Sequence, residues 1–200
     1  LRLTYASKMF LGSGGAYNGS GADYAEFVKE WADGNLNHED RVGYMVTIRN
    51  NKLEKAEIGD HIIGVTSGAP VIIGNSDEDY YWKYEKDDFN RIIYEDKIVT
   101  QEEIDESTGE TITATTTIKS PKLNENYDDT LTYIHRENRP EWDYVGMRGI
   151  IPCRDDGTCI AGGFCRCGGN GIATYSSTQD FNTYYVIERI SQNVVSIEVK

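Results

Sequence analysis

Apolar positions along this chain fall in short runs broken by Gly, Asn and Asp, a pattern that predicts strands and tight turns. Arg41 to Arg49 reads as a strand, Asn50-Asn51 as a turn, and Leu53 to Ile58 as the returning strand of a hairpin. Gly59-Asp60 makes a further turn before the short apolar run His61 to Val65, and Ala69 to Ile73 continues the apolar material past Pro70. Ile92 to Val99 and Ile112 to Lys119 are expected to pair, with the acidic segment Gln101 to Glu110 as their loop and Gly109 in its turn. Gly149 to Pro152 reads as another strand, and Tyr184 to Val199 as two alternating strands around Ser191-Gln192-Asn193. One segment breaks the rhythm. Tyr24, Phe27, Val28 and Trp31 stand at i, i+3, i+4 and i+7, the spacing of one helical stripe, and Gly34 follows as a stop. The expected class is therefore mainly β with one N-terminal amphipathic helix over residues 23–33, an α+β domain of short antiparallel strands and hairpins.

Ahead of that helix, Leu1 to Leu11 reads as a strand, and Gly12-Ser13-Gly14-Gly15 and Gly19-Ser20-Gly21 have flexible linker chemistry. The expected organisation is a tail of a preceding module plus a linker over residues 1–22, and one domain over residues 23–200. A chain of 200 residues that opens on Leu1 reads as part of a longer polypeptide.

Charge narrows the partners. The formal net charge is -13, which disfavours binding to nucleic-acid phosphates and to anionic membrane surfaces. No apolar run approaches the roughly 20 residues of a bilayer-spanning helix. No phosphate-binding G-x-x-x-x-G-K-[ST] loop, G-x-S-x-G elbow or H-E-x-x-H metal motif occurs. His38, His61 and His135 are far apart in sequence. Arg136, Arg139 and His135 suit either a phosphate or a surface ion-pair cluster.

Two clusters carry candidate chemistry. Asp23 and Glu26 lie three residues apart directly after the linker. At a helix start they read as a capping box, the Asp accepting from the N3 amide and the Glu reaching back. The same two carboxylates at a linker boundary also suit an acid–base pair, since close carboxylates push their pKa values apart. The second cluster is Cys153, Cys159, Cys165 and Cys167, spaced C-x5-C-x5-C-x-C. Four thiolates can hold zinc, but the paired C-x2-C knuckles are missing. Free thiols fit a cytoplasmic maturation, and Cys153 and Cys159 are placed to face each other across the turn Arg154 to Thr158.

The order of these segments resembles a known family. Gly21-Ala22-Asp23-Tyr24-Ala25-Glu26 with Trp31, then Glu39-Asp40-Arg41-Val42-Gly43, Ile63 to Pro70, Asp143-Tyr144-Val145-Gly146, Asp155 to Cys159 and Gly169 to Thr174 together resemble the C-terminal autoproteolytic intramolecular chaperone domain of bacteriophage tail spike and preneck appendage proteins. The resemblance covers roughly residues 21–200. It implies a domain behind a β-helical spike that brings three chains together and then cuts itself off as a glutamic-type peptidase. Carried onto this chain, it implies Asp23 and Glu26 as the catalytic carboxylates and a cut at or next to Ala22–Asp23. Ser stands at position 22 elsewhere in the family on this reading. The resemblance further implies partners in two further copies of the chain and in the upstream spike of the same polypeptide, with neither nucleic acid nor membrane. It implies assembly in the host cytoplasm, release from the mature virion spike, no cofactor for the cut, and ATP only in release. The competing expectation is a non-enzymatic trimerisation knob, or a glycan-binding tip using Tyr80, Tyr81, Trp82 and Tyr84, in which Asp23 and Glu26 only cap a helix.

Overall fold

The computed structural model describes residues 21–76, 83–104, 107, 109 and 111–200. The expected strand Leu1 to Leu11, the first linker and Tyr80 to Trp82 lie outside these. Among the described residues there are strands and one short 3-10 turn, Arg136–Asn138, but no α-helix. The α+β class expected from the sequence is therefore overturned in favour of an essentially all-β fold.

The chain divides into two units, one built from the segments ending at Ser76 and starting at Arg136, the other from Asp77–His135. The first unit holds β1 (Asp23–Glu26), β2 (Met45–Arg49), β3 (Lys52–Lys55), β4 (Gly64–Thr66) and β5 (Ile72–Gly74). The second holds β6 (Tyr94–Ile104) and β7 (Thr111–Pro121). The first resumes with β8 (Val145–Arg154), β9 (Phe164–Cys167), β10 (Ala173–Ser176), β11 (Tyr184–Ser191) and β12 (Val194–Val199).

In the first unit one sheet runs β10-β9-β11-β12-β8-β4-β2-β3, with β1 also paired to β8 and β5 paired to β1. The β2–β3 hairpin turns on Asn50 and Asn51, whose φ angles of 49° and 63° are those of a primed turn matching strand twist. The larger core gathers Met45, Val65, Ile151, Val186, Val195 and Ile197 with all four cysteines. A smaller one packs Trp31, Val46, Leu53 and Val145. Arg41 stacks on Trp31 at 4.6 Å and is clamped by Asp33 at 2.7 Å and Glu39 at 2.9 Å.

The segment expected to be helical is instead β1 followed by an irregular stretch ending at Trp31, which bridges Leu53 in parallel. The burial shows why. Asp23, Ala25 and Phe27 are buried while Tyr24 and Ala22 are exposed, a period of two rather than 3.6. Pairing on both edges, to β5 and to β8, satisfies the backbone donors and acceptors that a helix would have satisfied internally. With no helix to cap, the capping-box reading of Asp23 and Glu26 is withdrawn.

The second unit is built on a regular ribbon, β6 paired antiparallel with β7 from Tyr94↔Pro121 to Ile104↔Thr111. Lys119 and Asp96 pair at 2.8 Å across it. None of the buried hydrophobic residues among those described belongs to this unit.

Candidate autoproteolytic site

The Ala22–Asp23 segment is held as a strand on both sides. On one side β1 runs parallel to β5, with Tyr24 opposite Ile72 and Glu26 opposite Gly74. On the other it runs antiparallel to β8, with Asp23 opposite Gly149 and Ala25 opposite Gly146, the register slipping between Tyr24 and Ala25. The Asp23 carbonyl accepts from the Val71 amide at 2.8 Å, and the Ala22 carbonyl from the Ile150 amide at 3.4 Å. The Phe27 amide donates to the Gly74 carbonyl at 3.3 Å, and Asn75 Nδ2 to the Phe27 carbonyl at 2.6 Å. Phe27 itself is wedged against Tyr144, ring centroids 4.7 Å apart.

Strand alternation sends the two candidate carboxylates to different places. Asp23 points inward and is only 4 % exposed. Its carboxylate is hydrogen-bonded by the Ser67 hydroxyl, yet burial dominates and raises its pKa above the ordinary 3.8. Its Oδ2 is buried with no hydrogen-bond partner among the described residues. That oxygen lies against bare backbone, since a Cβ on Gly146 would stand 2.7 Å from it. Glu26 lies on the opposite face of β1, half-buried, where the Tyr24 hydroxyl donates to its Oε1. Within one chain the pair is therefore not a face-to-face couple, and the raised pKa of Asp23 comes from desolvation rather than from its neighbour carboxylate.

Ser67, Gly146, Gly149 and Ile150 lie around the Ala22–Asp23 bond, and none of them had a site role in the sequence reading. One signal pointed to two of them. Glycines inside a strand mark close backbone approach, and Gly146 and Gly149 both lie within β8.

The cysteines sit elsewhere, in the larger core. All four are free thiols and buried. Cys153 pairs with Val195 in the β8–β12 ladder rather than across a turn with Cys159, which hydrogen-bonds Cys165 instead. Burial pushes the Cys153 thiol far above its usual range, and the contact with Cys165 does the same to Cys159. Among the described residues no group of three or more His, Cys, Asp and Glu side chains is arranged to hold a metal ion. Asp155 anchors the neighbouring loop, accepting from Arg189 at 2.9 Å and from the Gly157 amide at 3.0 Å.

A model of the Peptidase_G2 family, the IMC autoproteolytic cleavage domain, matches residues 6–194. The chain belongs to this family. The Peptidase_G2 domain is 36% identical over 158 residues to the pre-neck appendage protein of Bacillus phage B103, covering 78% of this chain and 16% of that protein. It is 32% identical over 172 residues to the pre-neck appendage protein of Bacillus phage phi29, covering 84% of this chain and 18% of that protein. The chain thus spans about a sixth of the length of the curated relatives it matches. Among solved structures, the pre-mature phi29 gene product 12 superposes with a TM-score of 0.65 at 26% identity, over 98% of this chain and 23% of that one. The C-terminal fragment of the same gene product gives 0.62 at 29% identity, over 89% of this chain and 100% of that one. The resemblance to the self-cleaving domain of phage preneck appendage proteins is thereby established, and self-cleavage is the activity that defines this Peptidase_G2 domain.

Proposed function

We propose that this Peptidase_G2 domain cuts the Ala22–Asp23 bond once, after assembling three chains of an upstream phage spike. The observation that carries the reading is the bond's own setting. The segment is clamped as a strand on both edges, Ala22 is open to water, and the buried carboxylate of Asp23 adjoins the bond. Clamping removes much of the orientational entropy from a reaction that is otherwise very slow. On this reading residues 1–22 are the end of the released spike and its linker, and residues 23–200 are the cleaving domain.

The chemistry proposed is carboxylate-based. Water adds to the Ala22 carbonyl carbon, the bond to the Asp23 nitrogen breaks, and that nitrogen takes a proton to leave as an amine. Asp23, with its raised pKa, is suited to hold and deliver the proton. Glu26 is assigned to the base role of a glutamic-type peptidase; from the opposite face of β1 it reaches the bond only by rearrangement or from another copy. The proposed cut uses water and this chain's own side chains, and ATP, implied by the resemblance for release, takes no part in breaking the bond. Assembly and cutting are assigned to the host cytoplasm, before release from the virion spike.

Trimerisation is supported by the β6–β7 ribbon. An isolated two-stranded ribbon is marginal in water, and here Ile98 and Ile104 are each 70% exposed. The β6 sequence holds four acidic residues and one basic one, whereas β7 holds a single charge, Lys119. Two β6 edges would repel, so edge pairing between copies favours β6 against β7 of the next copy, a head-to-tail contact that closes into a ring.

The test is a time course of cleavage of the full chain on gels, in the Ala22 and Ala22→Ser forms, with the N-terminus of the product sequenced. A product beginning at Asp23 supports the reading. Asp23→Asn and Glu26→Gln are each expected to slow the cut by about 100-fold or more while leaving the fold intact. Normal rates in both folded variants would remove these residues from the chemistry.

A further inference from the structure

The geometry points to the Ile150 peptide N–H as the oxyanion donor of the self-cleavage reaction, with Gly149 as the residue that lets it reach the scissile carbonyl. This rests on the reading that the Ala22–Asp23 bond is the one cut.

When water adds to the Ala22 carbonyl carbon, its oxygen becomes an oxyanion and needs a donor aimed at it before the reaction begins. The Ile150 amide already donates to that oxygen, at 3.4 Å. The contact is long for an amide hydrogen bond, whose usual distance is about 2.9–3.0 Å, so it has room to tighten as charge develops. The Val71 amide, by contrast, donates at 2.8 Å to the Asp23 carbonyl, one peptide beyond the cut. The same strand is thus held by a tight hydrogen bond on the product side and a loose one at the reacting oxygen.

Gly149 makes this possible in two ways. Its φ of +122° lies where side-chain-bearing residues are strained. A Cβ there would stand 2.4 Å from the Ala22 oxygen and 2.9 Å from the Asp23 Cα. Any side chain at 149 would push the scissile carbonyl off the Ile150 amide.

The bland alternative is that this is one more ladder hydrogen bond between β1 and β8. The two readings differ in what removal of the N–H does. Replacing Ile150 by its α-hydroxy acid turns the 149–150 peptide into an ester, deleting the donor while keeping the side chain. The matched control replaces Val71 by its α-hydroxy acid, deleting the neighbouring donor that does not face the reacting oxygen. Both are made in the full 200-residue chain, in a background that cuts, and compared by cleavage time course, melting temperature and product sequencing.

The Ile150 ester is expected to cut about 100-fold more slowly or worse, and the Val71 ester within about tenfold of the parent, at similar melting temperatures. Equal slowing by both esters, or an Ile150 ester that cuts normally with its product still beginning at Asp23, would overturn the oxyanion assignment alone. A parent product that begins elsewhere would overturn the cleavage-site reading, and this assignment with it. Gly149→Ala serves as a second probe: a folded variant cutting at the parent rate counts against the role given to Gly149.

Discussion

At the residue scale the informative feature is the environment of Asp23. A carboxyl whose pKa is raised by burial binds its proton more tightly folded than unfolded, so its charged form costs stability at neutral pH. That cost is absent below the unfolded value near 3.8 and grows as pH rises through the raised folded value. Asp23→Asn is therefore expected to melt above the parent at pH 7, with the gap closing as pH falls from the raised folded value towards 3.8. Calorimetry on uncut protein at both pH values checks this, and a variant less stable at neutral pH by a pH-independent amount would show that the carboxylate is structurally satisfied. As a proton donor the same group works only while protonated, so donor-limited cutting should fall as pH rises past its folded pKa. Glu26 lies on the other face of β1, where the Tyr24 hydroxyl donates to it.

At the element scale the determinants are turns, strand pairing and the cysteine core. Asn50 and Asn51 both adopt positive φ, which costs other non-glycine residues about 1–2 kcal/mol each. The double change to Ala should lower stability by a few kcal/mol at most and leave the proposed cleavage site, at the start of β1, chemically intact. The four thiols line the larger core, Cys153 and Cys165 with no exposure at all. Replacing any one by Ser buries a hydroxyl in an apolar setting and is expected to cost about 1–3 kcal/mol. Folded variants should still cut at the parent rate. Denaturant melts with parallel cleavage gels separate the two effects, and loss of cutting in a stable Cys153→Ser protein would mean that the thiol core reaches the site.

At the scale of the whole molecule, the buried hydrophobic residues among those described all belong to one unit. The first unit buries two hydrophobic clusters, whereas the described part of the second buries none. A ribbon that is two-stranded among the described residues and has exposed isoleucines is expected to be completed by further copies. Light scattering at micromolar concentration should give a trimer, and a chain whose residues 94–121 are replaced by a short Gly/Ser linker should scatter as a monomer. A trimer that survives this deletion would place the interface elsewhere. The net charge of -13 makes association salt-dependent if acidic faces meet, with added salt favouring assembly.

By itself the sequence determined the strand-rich character, the position of the Asn50-Asn51 turn, the long pairing that became β6 and β7, and the family, because these depend on local turn chemistry, β-rich runs and the order of motifs. For a boundary at Ala22–Asp23, which remains a proposal, its ground was the linker composition ahead of Asp23. It misread residues 23–33. Tyr24, Phe27, Val28 and Trp31 fit a helical stripe, while Asp23, Ala25 and Phe27 fit a strand face. Local propensity cannot choose between two periods when both are partly satisfied. Only the tertiary structure chose, because the open edges of β5 and β8 offered the segment hydrogen bonds that no single sequence window records. The same long-range pairing separated Asp23 from Glu26, buried one carboxylate and left the other half-exposed, and brought Ser67, Gly146 and the Ile150 amide to the bond from segments far along the chain. A site assembled from a strand inserted between distant partners is decided by register, and register is a property of the folded sheet rather than of any stretch of its sequence.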